Sequence, residues 1–178
     1  MPVESVESKG AGLMVRLLSR LWTWTEIRAD TRYGLEVIGL RYMNVYGPHQ
    51  DQTAAYTGVV PIMLNKIDAN EAPIINGDGT QAYDFIYVED VARCNVQALL
   101  SDTDYGFYNV GTEVQTSIKE LCDLILDLKK SDLKVTYKPY SADDARALVQ
   151  NRIGSAVKAE KELGFKYKFN RSEEHTSE

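Results

Sequence analysis

The sequence predicts an α/β layer structure, and three observations carry that expectation. Short apolar stretches of strand length alternate with longer segments whose apolar residues recur at helical spacing. Glycine and proline punctuate the junctions, at Gly47-Pro48, Gly77-Asp78-Gly79 and Gly111. The 178 residues, 44% hydrophobic and 26% charged, have the balance of a globular protein and suffice for one domain with a core.

The elements follow in order. Leu35–Tyr42 is predicted as a strand, ending in the polar and aromatic run Arg41-Tyr-Met-Asn-Val-Tyr-Gly-Pro48. Open α/β sheets bind ligands beyond the carboxyl ends of their strands, so Tyr42, Asn44 and Tyr46 are candidates to face one. Val59–Ile67 reads as a helix, with Pro61 tolerated in its first turn. Pro73–Asn76 is a short strand closed by the glycine turn, and Phe85–Val88 is extended. Val91, Cys94, Ala98 and Leu99 make Glu89–Leu100 an amphipathic helix. Phe107–Val110 is a strand. Ser117-Ile-Lys-Glu120 fits a capping box and opens a helix with Ile118, Leu121, Cys122, Ile125 and Leu128 on one face. Lys134–Tyr137 is a strand. Ser155 is expected to cap a last helix, Ala156–Leu163, with Gly164 at its left-handed end and Phe165 folded back on it.

Composition excludes several classes. A net charge of −6 is the wrong sign for a general nucleic-acid binder. No stretch reaches the ~20 apolar residues of a membrane span, and the beginning lacks the order of a signal peptide. Cys94 and Cys122 fall on apolar helix faces, as buried free thiols of a reducing compartment would; a cytoplasmic location is expected. With His49 and His175 as the two histidines, no metal-ligand spacing exists.

Both ends fit poorly. Residues 1–31 hold a helical pattern at Leu13, Leu17, Leu18 and Leu21, followed by Trp22-Thr-Trp24 without a period. Arg171-Ser-Glu-Glu-His-Thr-Ser-Glu178 matches the in-frame translation of a common sequencing-library adapter, which implies a gene fragment; an ordinary polar, disordered tail is the alternative.

Four stretches, in order, resemble the nucleotide-sugar epimerase/dehydratase family of the extended short-chain dehydrogenase/reductases. They are Tyr33-Gly-Leu-Glu-Val-Ile-Gly-Leu-Arg-Tyr-Met-Asn-Val-Tyr-Gly-Pro48, Asn76-Gly-Asp-Gly-Thr-Gln-Ala-Tyr-Asp-Phe-Ile-Tyr-Val-Glu-Asp-Val91, Phe107-Tyr-Asn-Val-Gly-Thr112 and Lys158-Ala-Glu-Lys-Glu-Leu-Gly-Phe165. The resemblance covers the later part of such an enzyme. It implies the later part of a doubly wound, Rossmann-like parallel sheet plus the small substrate-binding lobe. Residues 32–170 would be that C-terminal part, residues 1–31 an uncertain remnant of the catalytic-motif helix, and 171–178 the tail. It further implies NAD as cofactor, a UDP-sugar as substrate and a homodimer in the intact enzyme.

The resemblance also assigns roles. Asn44 would hydrogen-bond the substrate's diphosphate region; capping the strand end is the alternative. Val59, Val60 and Pro61 would wrap the nucleotide base, though helix initiation explains them equally. Tyr42 and Met43 would lie near the nicotinamide, with core packing an equal account of Met43. Asp90 would cap the following helix, and Asn109 and Gly111 would hold a turn.

Two departures stand out. Tyr83 occupies the place of the family's diphosphate-gripping arginine. Arg146 or Arg152 is the candidate compensating cation, and Arg146 fits the family spacing better. The family's chemistry needs a tyrosine four residues before a lysine, whose charge lowers the phenol's pKa. Ser8-Lys9-Gly10-Ala11-Gly12 resembles the end of that motif, making Lys9 the catalytic candidate, but Ser5 stands where the tyrosine belongs; a sequence error within Ser5–Thr31 and a plain surface lysine are equal accounts of the mismatch. A serine hydroxyl titrates too high to substitute unaided. Gly10-Ala-Gly12 lacks the third glycine and the preceding strand of a dinucleotide fingerprint, so the main NAD-binding half is absent.

The resulting expectation is an NAD-dependent nucleotide-sugar epimerase, similar to UDP-glucose 4-epimerase, present as a fragment that binds the substrate side and does not turn over alone. A dehydratase, decarboxylase or reductase of the same family is the alternative. A non-catalytic nucleotide-sugar-binding or scaffold protein is the alternative from another class.

Overall fold

Strand β4, Ala82–Tyr87, is the wall on which the molecule is built. Successive side chains of a strand point to opposite faces. Phe85 accordingly enters one buried cluster, with Met63, Ile67, Ile75, Leu121 and Ile125, while Ile86 enters a second, with Val91, Tyr108, Val110, Leu163 and Phe165. A computed structural model describes residues 37–51, 58–140 and 149–169. Within them the order is β1 (Val37–Tyr42), β2 (Asn44–Tyr46), α1 (Val59–Asp68), β3 (Ile74–Asn76), β4, α2 (Val88–Leu99), β5 (Tyr105–Val110), β6 (Gln115–Ser117), α3 (Ile118–Leu128), β7 (Thr136–Lys138), β8 (Asn151–Arg152) and α4 (Val157–Leu163).

The pairing is mostly parallel, as crossover helices require. β1 runs parallel to β5, β2 to β4, β3 to β7 and β8 to β4, while β6 runs antiparallel to β4. The register sets Tyr42 opposite Val110, Asn44 opposite Phe85, and Arg152 opposite Tyr83. The α/β architecture expected from the sequence is the one found. No helix of the described residues is long and apolar enough to cross a membrane.

Local signals explain the start of α3 and the end of α4. Ser117 Oγ accepts from the Glu120 amide at 3.1 Å, and the Glu120 carboxylate accepts from the Ser117 amide at 2.8 Å, completing the expected capping box of α3. Gly164 ends α4 at φ 67°, and the Phe165 amide donates back to the Ala159 carbonyl at 3.2 Å. Phe165 is buried.

Some expectations need correction. Ser155 does not cap α4; Ala156 is the cap residue, and the Ser155 hydroxyl donates instead to the Glu113 carboxylate at 3.0 Å. Asp90 does not cap α2, because the helix already begins at Val88. Its fully buried carboxylate accepts from the Lys168 and Phe169 amides, at 3.0 and 3.1 Å, and pairs with Arg93. Leu99 and Leu128 face solvent. At about 100° per residue, Leu99 lies roughly 80° from the direction of Val91 and so leaves the buried stripe. Cys94 and Cys122 are free and buried, one in each cluster, as the helical spacing predicted.

Candidate functional site

The first turn of α1 meets the end of β2 and the middle of β4 around a cavity of about 190 Å³. Asn44, Tyr46, Val59, Val60, Pro61 and Tyr83 line it, together with Val45, Gln50, Gly58, Phe85 and Ile118. The walls are largely aromatic and aliphatic. Tyr46 and Tyr83 each meet Phe85 edge-on, with ring centroids 6.5 and 6.4 Å apart. One wall is a helix N-terminus: Gly58 caps α1 with no side-chain hydrogen bond, and the first turn carries no acidic residue. Uncapped amides at the positive end of a helix suit an anion or a hydroxyl oxygen.

The polar groups are held from behind. Asn44 Nδ2 donates to the Asp84 carbonyl at 3.0 Å, so the strand-end role foreseen for this amide exists alongside its place on the cavity wall. The Asp84 carboxylate is fully buried and accepts from the Thr112 amide at 2.9 Å, the Thr112 hydroxyl at 2.7 Å and the Glu113 amide at 3.0 Å. A charge out of water persists only with such partners. They tie β4 to the loop that follows β5. Glu113, held at φ 62°, in turn accepts from Ser155.

The Tyr83 hydroxyl donates to the Val149 carbonyl at 3.0 Å. Burial raises its pKa, and the charge of Arg152 opposes that rise. Arg152 stands one strand away, on β8, directly across the pair from Tyr83.

Of the residues singled out by sequence, Asn44, Tyr46, Val59, Val60, Pro61 and Tyr83 come together in this cavity. Tyr42 and Met43 sit elsewhere. Tyr42 is 43% exposed and its hydroxyl donates to Asn95 on α2 at 2.9 Å. Met43 packs into the second cluster beside Gly111 and Gly154, where an added Cβ would approach its side chain to 2.7 Å in each case. Lys9 and Arg146, with residues 1–31 and 171–178, lie outside the described residues. Gln50, Phe85 and Ile118 were missed. Phe85 and Ile118 carry ordinary core signals, and Gln50 is a lone amide just beyond the Gly47-Pro48 turn.

Tyr42 and Met43 are engaged in packing and hydrogen bonding as given. The strand-to-helix junction from β4 to α2 has no glycine turn, and the first turn of α2 bears Glu89 beside the buried Asp90. Among the described residues, the cavity wall holds no histidine, lysine or carboxylate to serve as acid or base.

Residues 20–111 match the model of the NAD dependent epimerase/dehydratase family. A Methanocaldococcus jannaschii protein named "Putative UDP-glucose 4-epimerase" is 46% identical over 93 residues, 52% of this chain and 30% of its own length. The UDP-N-acetyl-alpha-D-glucosaminuronate decarboxylase of Bacillus cytotoxicus is 31% identical over 107 residues, 60% of this chain and 33% of its own. The structure of a Thermotoga maritima UDP-glucose 4-epimerase, solved with UDP-glucose, is similar with a TM-score of 0.79 and 31% identity, over 90% of this chain and 49% of that one. The chain thus spans about a third of these curated relatives and about half of the solved structure.

Proposed function

The chain belongs to the NAD dependent epimerase/dehydratase family, and on that premise we propose that its described residues are the nucleotide-sugar-binding side of an epimerase of the UDP-glucose 4-epimerase kind. The observation that carries this reading is convergence: Asn44 on β2, Val59, Val60 and Pro61 on α1 and Tyr83 on β4, each resembling a substrate-binding position of the family, line one cavity. Asn44 and the first turn of α1 offer hydrogen-bond donors to oxygens of the diphosphate region. Val59, Val60 and Pro61 form the apolar side for the base. Tyr83 and Arg152 together replace the missing arginine, the phenol at the wall and the guanidinium behind it. Arg152 thereby becomes the described candidate for the compensating charge.

NAD, the cofactor in the family's name, supplies hydride acceptance in such an enzyme; Tyr42 and Met43 are the described candidates to lie near its nicotinamide. With Lys9 lacking its tyrosine partner, the chain alone binds its substrate weakly and does not convert it. Residues 32–170 then act as a substrate-binding part that completes an active, homodimeric enzyme only with the cofactor-binding half.

Calorimetry with UDP-glucose and UDP tests binding. Detectable affinity is expected, and Asn44→Ala is expected to weaken it about five- to tenfold, the loss of a ligand hydrogen bond. Unaltered affinity in that variant sinks the assignment of the cavity. Incubation with NAD and UDP-glucose tests turnover, and the expected outcome is no formation of the C4 epimer. Binding without turnover also after supply of the cofactor-binding half would favour the non-catalytic, scaffold reading over the epimerase.

A further inference from the structure

Gln50 lines the cavity, yet its Oε1 is buried with no hydrogen-bond partner among the described residues. Its amide nitrogen lies against Gly58, where an added Cβ would sit 3.0 Å away. A buried acceptor without a donor is costly to a folded protein and marks a place where something else supplies the donor. The cavity, at about 190 Å³, has room for a single ring of a ligand and not for a whole nucleotide sugar.

Resting on the nucleotide-sugar reading above, we infer that Gln50 is a specificity-determining residue whose side-chain carbonyl accepts from a hydroxyl or N–H of the ring that enters this cavity. The chemistry is selective. An ionised diphosphate presents only acceptor oxygens and cannot satisfy Oε1, so the group at Gln50 is a sugar hydroxyl or a nucleobase N–H. The terminal torsion of a glutamine side chain is broad, so the amide turns toward an incoming donor at little cost. The rings of Tyr46, Tyr83 and Phe85 on the wall favour a flat or cyclic occupant over an open chain.

The test uses the chain as it stands, with UDP-glucose and UDP as probes and two variants. Gln50→Met keeps the shape and removes the acceptor; Gln50→Glu keeps an acceptor. Gln50→Met is expected to weaken UDP-glucose binding about five- to tenfold, with no fall in melting temperature, because the amide oxygen bonds nothing among the described residues of the free protein. Gln50→Glu is expected to bind better than Gln50→Met. An equal loss for UDP places the donor on the nucleoside, and a loss confined to UDP-glucose places it on the hexose; either supports the inference. Unchanged affinity in Gln50→Met, or Gln50→Glu binding worse than Gln50→Met, overturns it, the latter because the amide would then be donating to phosphate. A fall in melting temperature that accounts for the lost binding also overturns it, as a structural glutamine. Absence of any UDP-glucose binding by the unaltered chain instead overturns the nucleotide-sugar reading, and this inference falls with it.

Discussion

Asp84 concentrates more of the site's order than any residue that touches the cavity. Its carboxylate holds Thr112 and Glu113, and its carbonyl holds Asn44. Asp84→Ala is therefore expected to lower stability by roughly 3 kcal/mol in urea titration, since it leaves several buried donors unpaired. A change below about 1 kcal/mol would show that water replaces the carboxylate. The thiols behave differently. Burial pushes Cys94 and Cys122 up to about 11 from an ordinary 9.0. The unfolded chain releases those protons first, so their contribution to stability is complete below pH 9 and drains as pH climbs toward 11. Melting temperatures across that window are expected to fall, and thiol reagents at pH 8 are expected to label the folded protein slowly. Residue identities foretold the site unevenly. Asn44, Val59 to Pro61 and Tyr83 sit in recognisable runs that a shared wall later joins. Met43 lies in the same run as Asn44, and only the packing of Gly111 and Gly154 around it decides that it faces the core.

At the scale of elements, short-range signals were the legible ones. The capping box of α3 and the glycine stop of α4 depend on neighbours within a few residues, so their sequence is enough. Ser117→Ala is expected to cost about 1 kcal/mol. Gly164→Ala is expected to cost about as much, for a different reason: nothing lies within 4 Å of an added Cβ, so the penalty is that of a left-handed backbone alone. Thermal melts of the two single variants and the pair check both values, and additivity is expected because the sites belong to separate helices. The strands β6 and β8 were illegible. They hold three and two residues and exist because β4 offers unpaired edges to Gln115–Ser117 and Asn151–Arg152. No local pattern announces such pairing. Ser155 misled for a related reason: a serine before a helix is an ordinary cap, but the Glu113 carboxylate, 42 residues away in sequence, claims its hydroxyl first.

For the molecule as a whole, β4 joins two buried clusters, and each cluster contains one cysteine. A shared wall predicts shared fate. Ile86→Ala, which opens a hole in the second cluster, is expected to cost about 2–5 kcal/mol and to shift the exposure of Cys94 and Cys122 together. Thiol labelling along a urea gradient reads both at once. Separate midpoints for the two cysteines would mean that the clusters unfold independently. The α/β class was plain from alternating elements, because it needs only the order of strands and helices. The division of the core by one strand was not, because Phe85 and Ile86 are adjacent, equally apolar and distinguished only by which way the pleat turns them. Asp90 adds one more long-range tie, gripping the amides of Lys168 and Phe169. A pull on the chain at Phe169 would load that carboxylate before it strained the neighbouring core, much as a buckle takes tension before the cloth. Clipping the chain after Phe169 should leave the fastening shut, and clipping before Lys168 should release α2 to breathe.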